Sequence, residues 1–156
     1  MIRVAQYQGE SWTSKAIKFM SRGKYSHTAI ILGSDCIVEA WKGSNSVRVI
    51  SSPSEGHASG TVVDIYELEL NSEQEEKFRE FVLAQVGKPY DNLGILGFLW
   101  RRDIHRSESW FCSELFAEAC KASGKELYND TESSQISPSM VARSIALKLV
   151  GSIITK

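Results

Sequence analysis

Cysteine is scarce in this chain, and what there is does not pair. The 156 residues include three cysteines, Cys36, Cys112 and Cys120. An odd number without CxxC spacing argues against a disulfide framework and against a cysteine zinc site. Neither sign of charge predominates. With 18 basic and 19 acidic side chains the formal net charge is -1, so no net field attracts nucleic acid phosphates or an anionic membrane. Long apolar runs are missing as well: the stretch from Leu93 to Trp100 is far too short to span a bilayer, and Met1 to Gln8 holds no segment of signal-peptide character. These absences predict a reduced, cytoplasmic protein with no nucleic acid partner, transmembrane segment or secretion signal. Action outside the cell would need another exit, such as a phage release system.

What remains is the balance of a folded protein. Apolar residues at 42% and charged residues at 24% fit a globular chain, and its length predicts a single domain over residues 1–156. A strand is expected over Arg3 to Tyr7 and a short helix over Ser14 to Met20. Tyr25 to Leu32 and Cys36 to Trp41 flank Gly33-Ser34-Asp35, the turn chemistry of a hairpin. Further strand character lies around Arg48 and over Thr61 to Leu70, and the sheet is expected to be antiparallel. Asn71 caps a helix whose apolar stripe is Phe78, Phe81, Val82 and Val86. A second helix runs from about Phe111 to Ala122, with Leu115, Phe116, Ala119 and Cys120 inward and Glu114, Glu118 and Lys121 outward. Ser137-Pro138 predicts a last helix with Val141, Ile145 and Leu149 as its buried stripe. Ser51 to Gly60 and Tyr128 to Ser137 read as surface loops.

Chemistry points to Cys112. A thiol attacks as the thiolate, and a helix N-terminus or a neighbouring imidazole lowers its pKa. Cys112 opens a predicted helix, whose first amides would also face a developing oxyanion. Position alone weighs evenly between a nucleophile and a small buried hydrophobe. His27 shifts that balance, because a histidine on an apolar strand must find a partner or face a cleft. Glu39 lies on the next strand amid apolar residues, where a carboxylate needs a donor. If Gly33 pairs with Asp35, then Ala29 faces Glu39, His27 faces Trp41, and His27 and Glu39 lie diagonally on one face. A slip of one residue would separate them and leave Glu39 a solvent-facing strand residue.

Taken in chain order, Tyr25-Ser26-His27 with its aliphatic strand, Val38-Glu39-Ala40-Trp41, Gly87-Lys88-Pro89-Tyr90-Asp91, Trp110-Phe111-Cys112-Ser113-Glu114-Leu115 and Ile136-Ser137-Pro138-Ser139 resemble the YiiX/YaeF-like permuted papain-fold amidases, relatives of the NlpC-type peptidases. The histidine preceding the cysteine is the order of the circularly permuted branch. The resemblance implies an α+β fold with an antiparallel sheet packed against helices, Cys112 as nucleophile, His27 as base and Glu39 orienting the imidazole. Gln6-Tyr7-Gln8-Gly9 departs from the glycine-aspartate opening of many relatives, leaving Tyr7 as a candidate second oxyanion donor beside the Cys112 amide, or as an ordinary strand aromatic.

The implied reaction is acyl transfer through a thioester, with cleavage of an amide bond in a peptidoglycan peptide or N-acyl compound as the expected outcome. Lipid or thioester acyl transfer on the same residues, and a binding module that has lost the chemistry, are the two rival readings. No cofactor is required and no metal site is expected; the partner is a small-molecule, peptide or lipid substrate. Trp41 and Trp110 are candidate cleft walls or core residues. His57, in a Gly/Ser-rich loop, and His105 read as surface histidines without metal-ligand spacing. Arg101, Arg102 and Arg106 read as a solvated cluster, and Cys36 and Cys120 as packing residues.

Overall fold

The computed structural model describes residues 1–91 and 109–156. The expectations for Leu93 to Trp100, Arg101, Arg102, His105 and Arg106 lie outside the described residues. In chain order the elements are β1 (Ile2–Tyr7), α1 (Trp12–Met20), β2 (His27–Gly33), β3 (Cys36–Trp41), β4 (Ser46–Ile50), β5 (Val62–Leu68), α2 (Ser72–Ala84), α3 (Cys112–Ala122), a 3₁₀ turn (Ser133–Gln135), α4 (Pro138–Arg143) and β6 (Leu147–Ile154). The strands form one six-stranded antiparallel sheet in the order β4-β3-β2-β1-β5-β6.

Strand alternation divides the side chains between two faces. Val4, Ile30, Leu32, Val38, Ala40 and Val47 join the main core with Phe78, Val82, Leu115, Phe116 and Cys120 of the helices. The rings of Phe78 and Phe116, on α2 and α3, meet edge to face at 5.8 Å. Ala5, Tyr7, Ala29, Ile37, Ile50 and Val63 make a smaller cluster on the other face. As expected, Asn71 caps α2, and Gln74 completes a capping box in which each satisfies the other's backbone amide.

Three expectations are corrected. The helix after Pro138 ends at Arg143, Ser144 takes an extended conformation (φ -63, ψ 136), and the chain continues as β6 against β5. Ile145 is fully exposed and Leu149 is a half-exposed strand residue, so the fourfold spacing of Val141, Ile145 and Leu149 is not a helical stripe. The β-branched residues Val150, Ile153, Ile154 and Thr155 were the competing strand signal. Glu114 is buried, its carboxylate accepting a hydrogen bond from the Phe111 amide, where an outward position was expected. Val86 lies beyond the end of α2 and is exposed.

Candidate active site

The β2–β3 hairpin brings the first two site residues together. Ile30 pairs with Val38 and Ile31 with Ile37, the register expected for the body of the hairpin. The turn itself differs, since Gly33 pairs with Cys36 across a local irregularity. His27 Nε2 lies 2.7 Å from Glu39 Oε2. In the neighbouring strand Arg48 pairs directly with Glu39, and its Nε and Nη2 donate to Oε1 at 2.9 and 2.6 Å. The Glu39 side chain is fully buried. Its cost of burial is offset by charge-assisted bonds on both oxygens.

A fourth donor comes from the segment read as a surface loop. His57 Nε2 lies 3.1 Å from Glu39 Oε2, and its side chain is only 6% exposed. The expectation of a surface histidine is therefore corrected. The loop is fastened at several points: Tyr7 donates to the Pro53 carbonyl at 3.0 Å, Arg48 to the Glu55 carbonyl at 3.2 Å, and Thr155 to the Ala58 carbonyl at 2.6 Å. Gly56 precedes His57 with φ +79, and a Cβ there would stand 2.7 Å from Arg48 Nη2. Glycine is needed for both the backbone conformation and the close approach. Loop chemistry alone gave no sign of this; the one available signal was that a buried Glu39 needs more donors than a single imidazole provides.

Cys112 enters from the opposite side of the sheet. Main-chain bonds from Asp91 to the Trp110 carbonyl and from Trp110 to the Pro89 carbonyl, each 3.0 Å, fix the approach to α3. Cys112 is its first residue. Phe111 stands at the N-cap, a residue type without a side-chain acceptor, and the first-turn amides have no intrahelical acceptor. Deeper in the helix Ser113 donates to the Ile136 carbonyl at 2.6 Å, and Ser137 caps α4 through the Met140 amide at 3.2 Å. His27 opens β2, so its ring stands at the strand end, where it reaches both the Cys112 thiol and Glu39.

Electrostatics follow this placement. Burial disfavours charge on His27, but the charge and hydrogen bond of Cys112, followed by those of Glu39, outweigh it and raise the imidazole pKa to about 10. With Nε2 engaged by Glu39, Nδ1 is the nitrogen left for the thiol. Burial opposes ionisation of Glu39 also, yet the hydrogen bonds of His27 and His57 hold its carboxyl well below the usual range. Burial lowers the His57 pKa and keeps that ring neutral, with Nε2 as the donor. Burial pushes the Cys120 thiol up, which makes it a poor nucleophile.

Of the residues singled out in the sequence, Cys112, His27 and Glu39 converge. Trp41 joins them, its ring 5.2 Å from His27 and 4.6 Å from His57. Tyr7 is adjacent but differently occupied. Its hydroxyl donates to Pro53, and burial followed by the Glu39 charge pushes its pKa up. The ring stacks on His57 at 4.0 Å, making Tyr7 a support for that histidine. Trp110 belongs to the main core, edge to face with Phe81 at 5.9 Å. Cys36 is half-buried and Cys120 buried. Among the described residues, no helix is long and apolar enough to cross a membrane.

The cluster has a second chemical aspect. The nitrogens of His27 and His57 and an oxygen of Glu39 lie within 4.8 Å of one another. Two imidazoles and a carboxylate are a donor set suited to a transition metal.

Comparison with known proteins agrees with this architecture. A structure described as the metalloprotein yiiX from Escherichia coli O157:H7 superposes with a TM-score of 0.68 at 19% identity, over 97% of this chain and 96% of that one. At this identity the likeness establishes the fold. A search of curated sequences gives no match. The family described as permuted papain-like amidase enzymes, YaeF/YiiX, C92, matches residues 9–150. With histidine strand before cysteine helix, one antiparallel sheet and a match over nearly its whole length, the chain belongs to the permuted papain-like amidase family of YaeF and YiiX.

Proposed function

We propose that this protein is a cysteine-dependent hydrolase of amide bonds, with Cys112 as nucleophile, His27 as general acid and base, and Glu39 as the carboxylate that orients and charges the imidazole. The observation carrying this reading is that one imidazole contacts the thiol at the head of α3 and a buried, ionised carboxylate at once. Family membership supports the same reaction class.

The route is acyl transfer. The Cys112 thiolate attacks the amide carbonyl carbon, and the oxyanion forms against the Cys112 amide, free of intrahelical bonding at the first helical position. As the C–N bond breaks, His27 passes the Nδ1 proton to the departing nitrogen, leaving a thioester. The neutral imidazole then takes a proton from water, the resulting hydroxide attacks the thioester carbonyl, and the thiolate leaves. Glu39 remains ionised throughout, and Arg48 fixes its other oxygen. The yiiX relative is described as a metalloprotein. In this chain a metal would be held by His27, Glu39 and His57, where it would supply Lewis-acid charge.

Alkylation with iodoacetamide across pH, with the labelled cysteine located by peptide mass, tests the reading. The expected result is preferential modification of Cys112 at neutral and mildly acidic pH, lost in His27→Ala. Equal, slow labelling of all three cysteines would refute it. A screen of amide, ester and muropeptide compounds then addresses the substrate.

A further inference from the structure

We propose that two copies of this chain pair through β6, antiparallel across a twofold axis between Val150 and Gly151, so that two six-stranded sheets join edge to edge into one. Nothing in this pairing depends on the chemistry of Cys112.

The two edges of the sheet differ. β4 is one edge, and the segment after α2 covers it: the Gly87 amide donates to the Val47 carbonyl and the Val47 amide to the Lys88 carbonyl, each at 2.8 Å. β6 is the other edge, and among the described residues it pairs with β5 alone. Its sequence is Leu147-Lys148-Leu149-Val150-Gly151-Ser152-Ile153-Ile154. Open edges are blunted by proline, by charged side chains, by shortness or by a bulge. β6 has no proline and a single charge, Lys148, over eight residues. Leu149, Val150, Ile153 and Ile154 are 53%, 46%, 41% and 65% exposed, so apolar surface flanks the open main-chain groups on both faces of the strand. Such an edge fits another strand that carries apolar residues on both of its own faces.

The bulge that β6 does have selects the partner, because it lies at the midpoint of the strand. Ile65 pairs with Gly151 and Tyr66 with Leu149, which leaves Val150 as one extra residue, beside Gly151 opposite Ile65. An extra residue reverses the alternation of faces on either side of it. Leu147, Leu149, Ser152 and Ile154, opposite Leu68, Tyr66, Asp64 and Val62, accordingly share the face of the main core. Lys148, Val150, Gly151 and Ile153 share the other face, with Gly151 opposite Ile65 and Ile153 opposite Val63.

Turned end for end about that midpoint, the strand sets Leu147 against Ile154, Leu149 against Ser152, Lys148 against Ile153 and Val150 against Gly151. Each pair joins residues of one face. A slip of one residue sets Leu149 against Gly151 and mixes the faces. Parallel pairing in register would stack Lys148 on its own copy about 4.8 Å away, which like charge disfavours. The antiparallel pairing holds the two lysines about 17 Å apart along the strands. It is also closed, since each copy uses its open edge once and the assembly stops at two.

Eight residues give a contact roughly 26 Å long. That is a ribbon at the small end of specific interfaces, so the expected Kd is about 1–100 µM. β5 and β1 stand between β6 and the histidine strand β2, so pairing leaves the Cys112 site open.

Sedimentation equilibrium of the full chain from about 1 to about 200 µM, a range that brackets this Kd, tests the pairing. We expect a monomer–dimer equilibrium without larger species. The two copies of residue 150 are diagonal neighbours across the axis, within reach of long side chains. Val150→Lys and Val150→Glu should therefore each weaken the dimer at least tenfold, and their equimolar mixture should regain it to within about threefold of the wild type. Circular dichroism and the rate of Cys112 alkylation, both expected to be unchanged, show that the variants fold, and the wild-type equilibrium depends on no variant. A monomer throughout that range would overturn the pairing, whether or not an extended peptide of another protein binds the edge. So would larger species, a dimer that survives both single variants, or a mixture that stays monomeric.

Discussion

Replacing Glu39 by glutamine keeps the shape of the side chain and removes its charge, which isolates what the carboxylate does. In the native site one oxygen accepts two bonds from Arg48 and the other accepts from His27 and His57. A bond to a charged group contributes about 1.5–3 kcal/mol and a neutral one about 1. The loss toward the imidazolium is then about 1–2 kcal/mol, or roughly five- to thirtyfold in rate at 1.4 kcal/mol per decade. A second effect adds to this. Arg48 is always charged and takes the remaining amide oxygen, so the amide NH₂ faces the histidines. His27 must then accept at Nε2 and carry its proton on Nδ1, the wrong tautomer to receive one from Cys112. Asparagine replacing the aspartate of a serine-histidine-aspartate triad costs about 10⁴ for this reason. The expected fall for Glu39→Gln therefore runs from about fivefold to about 10⁴. The assay is the second-order rate of Cys112 alkylation at pH 6–7, alongside amide turnover once a substrate is found. A folded variant that alkylates within twofold of the wild type would refute the role of Glu39.

Three further outcomes follow from the same geometry. His27 has a folded pKa of about 10, above its ordinary 6.5, through Cys112 and Glu39 against the effect of burial. Its stabilising contribution is complete below pH 6.5 and is lost as pH rises through about 10; a pH–rate profile should show an alkaline limb near 10 that moves down in Glu39→Gln, and a limb near 7 would contradict the Glu39 contact. Gly56→Ala places a Cβ 2.7 Å from Arg48 Nη2 at φ +79 and should cost about 1–2 kcal/mol from the left-handed backbone alone, lowering Tm by several degrees in calorimetry and slowing Cys112 alkylation as Arg48 and His57 shift. Phe116→Ala removes a fully buried ring packed on Phe78 and should cost about 3–5 kcal/mol in denaturant unfolding, a loss below 1 kcal/mol being inconsistent with that packing.

Local patterns carried much of the fold. The Gly33-Ser34-Asp35 turn, the cap at Asn71 and the apolar stripe ending in Cys120 are short-range signals, and the hairpin and the helices α2 and α3 occur where those signals lie. The α4–β6 junction was misread because Val141, Ile145 and Leu149 fit a helical period by chance, whereas pairing with β5 decides the conformation.

For the site, the sequence by itself determined the reacting types: a cysteine opening a helix, a histidine on an apolar strand and a carboxylate one hairpin away, in the permuted order. Only tertiary structure decided that Arg48 and His57 complete the Glu39 environment, that Tyr7 supports His57 through stacking and its bond to Pro53, and that Trp110 faces the core. The reason is distance along the chain. Hairpin partners are set by turn and alternation within a dozen residues, whereas the position of His57 depends on a loop fastened to β1, β4 and the C-terminal strand segment, contacts that exist only once the sheet has assembled.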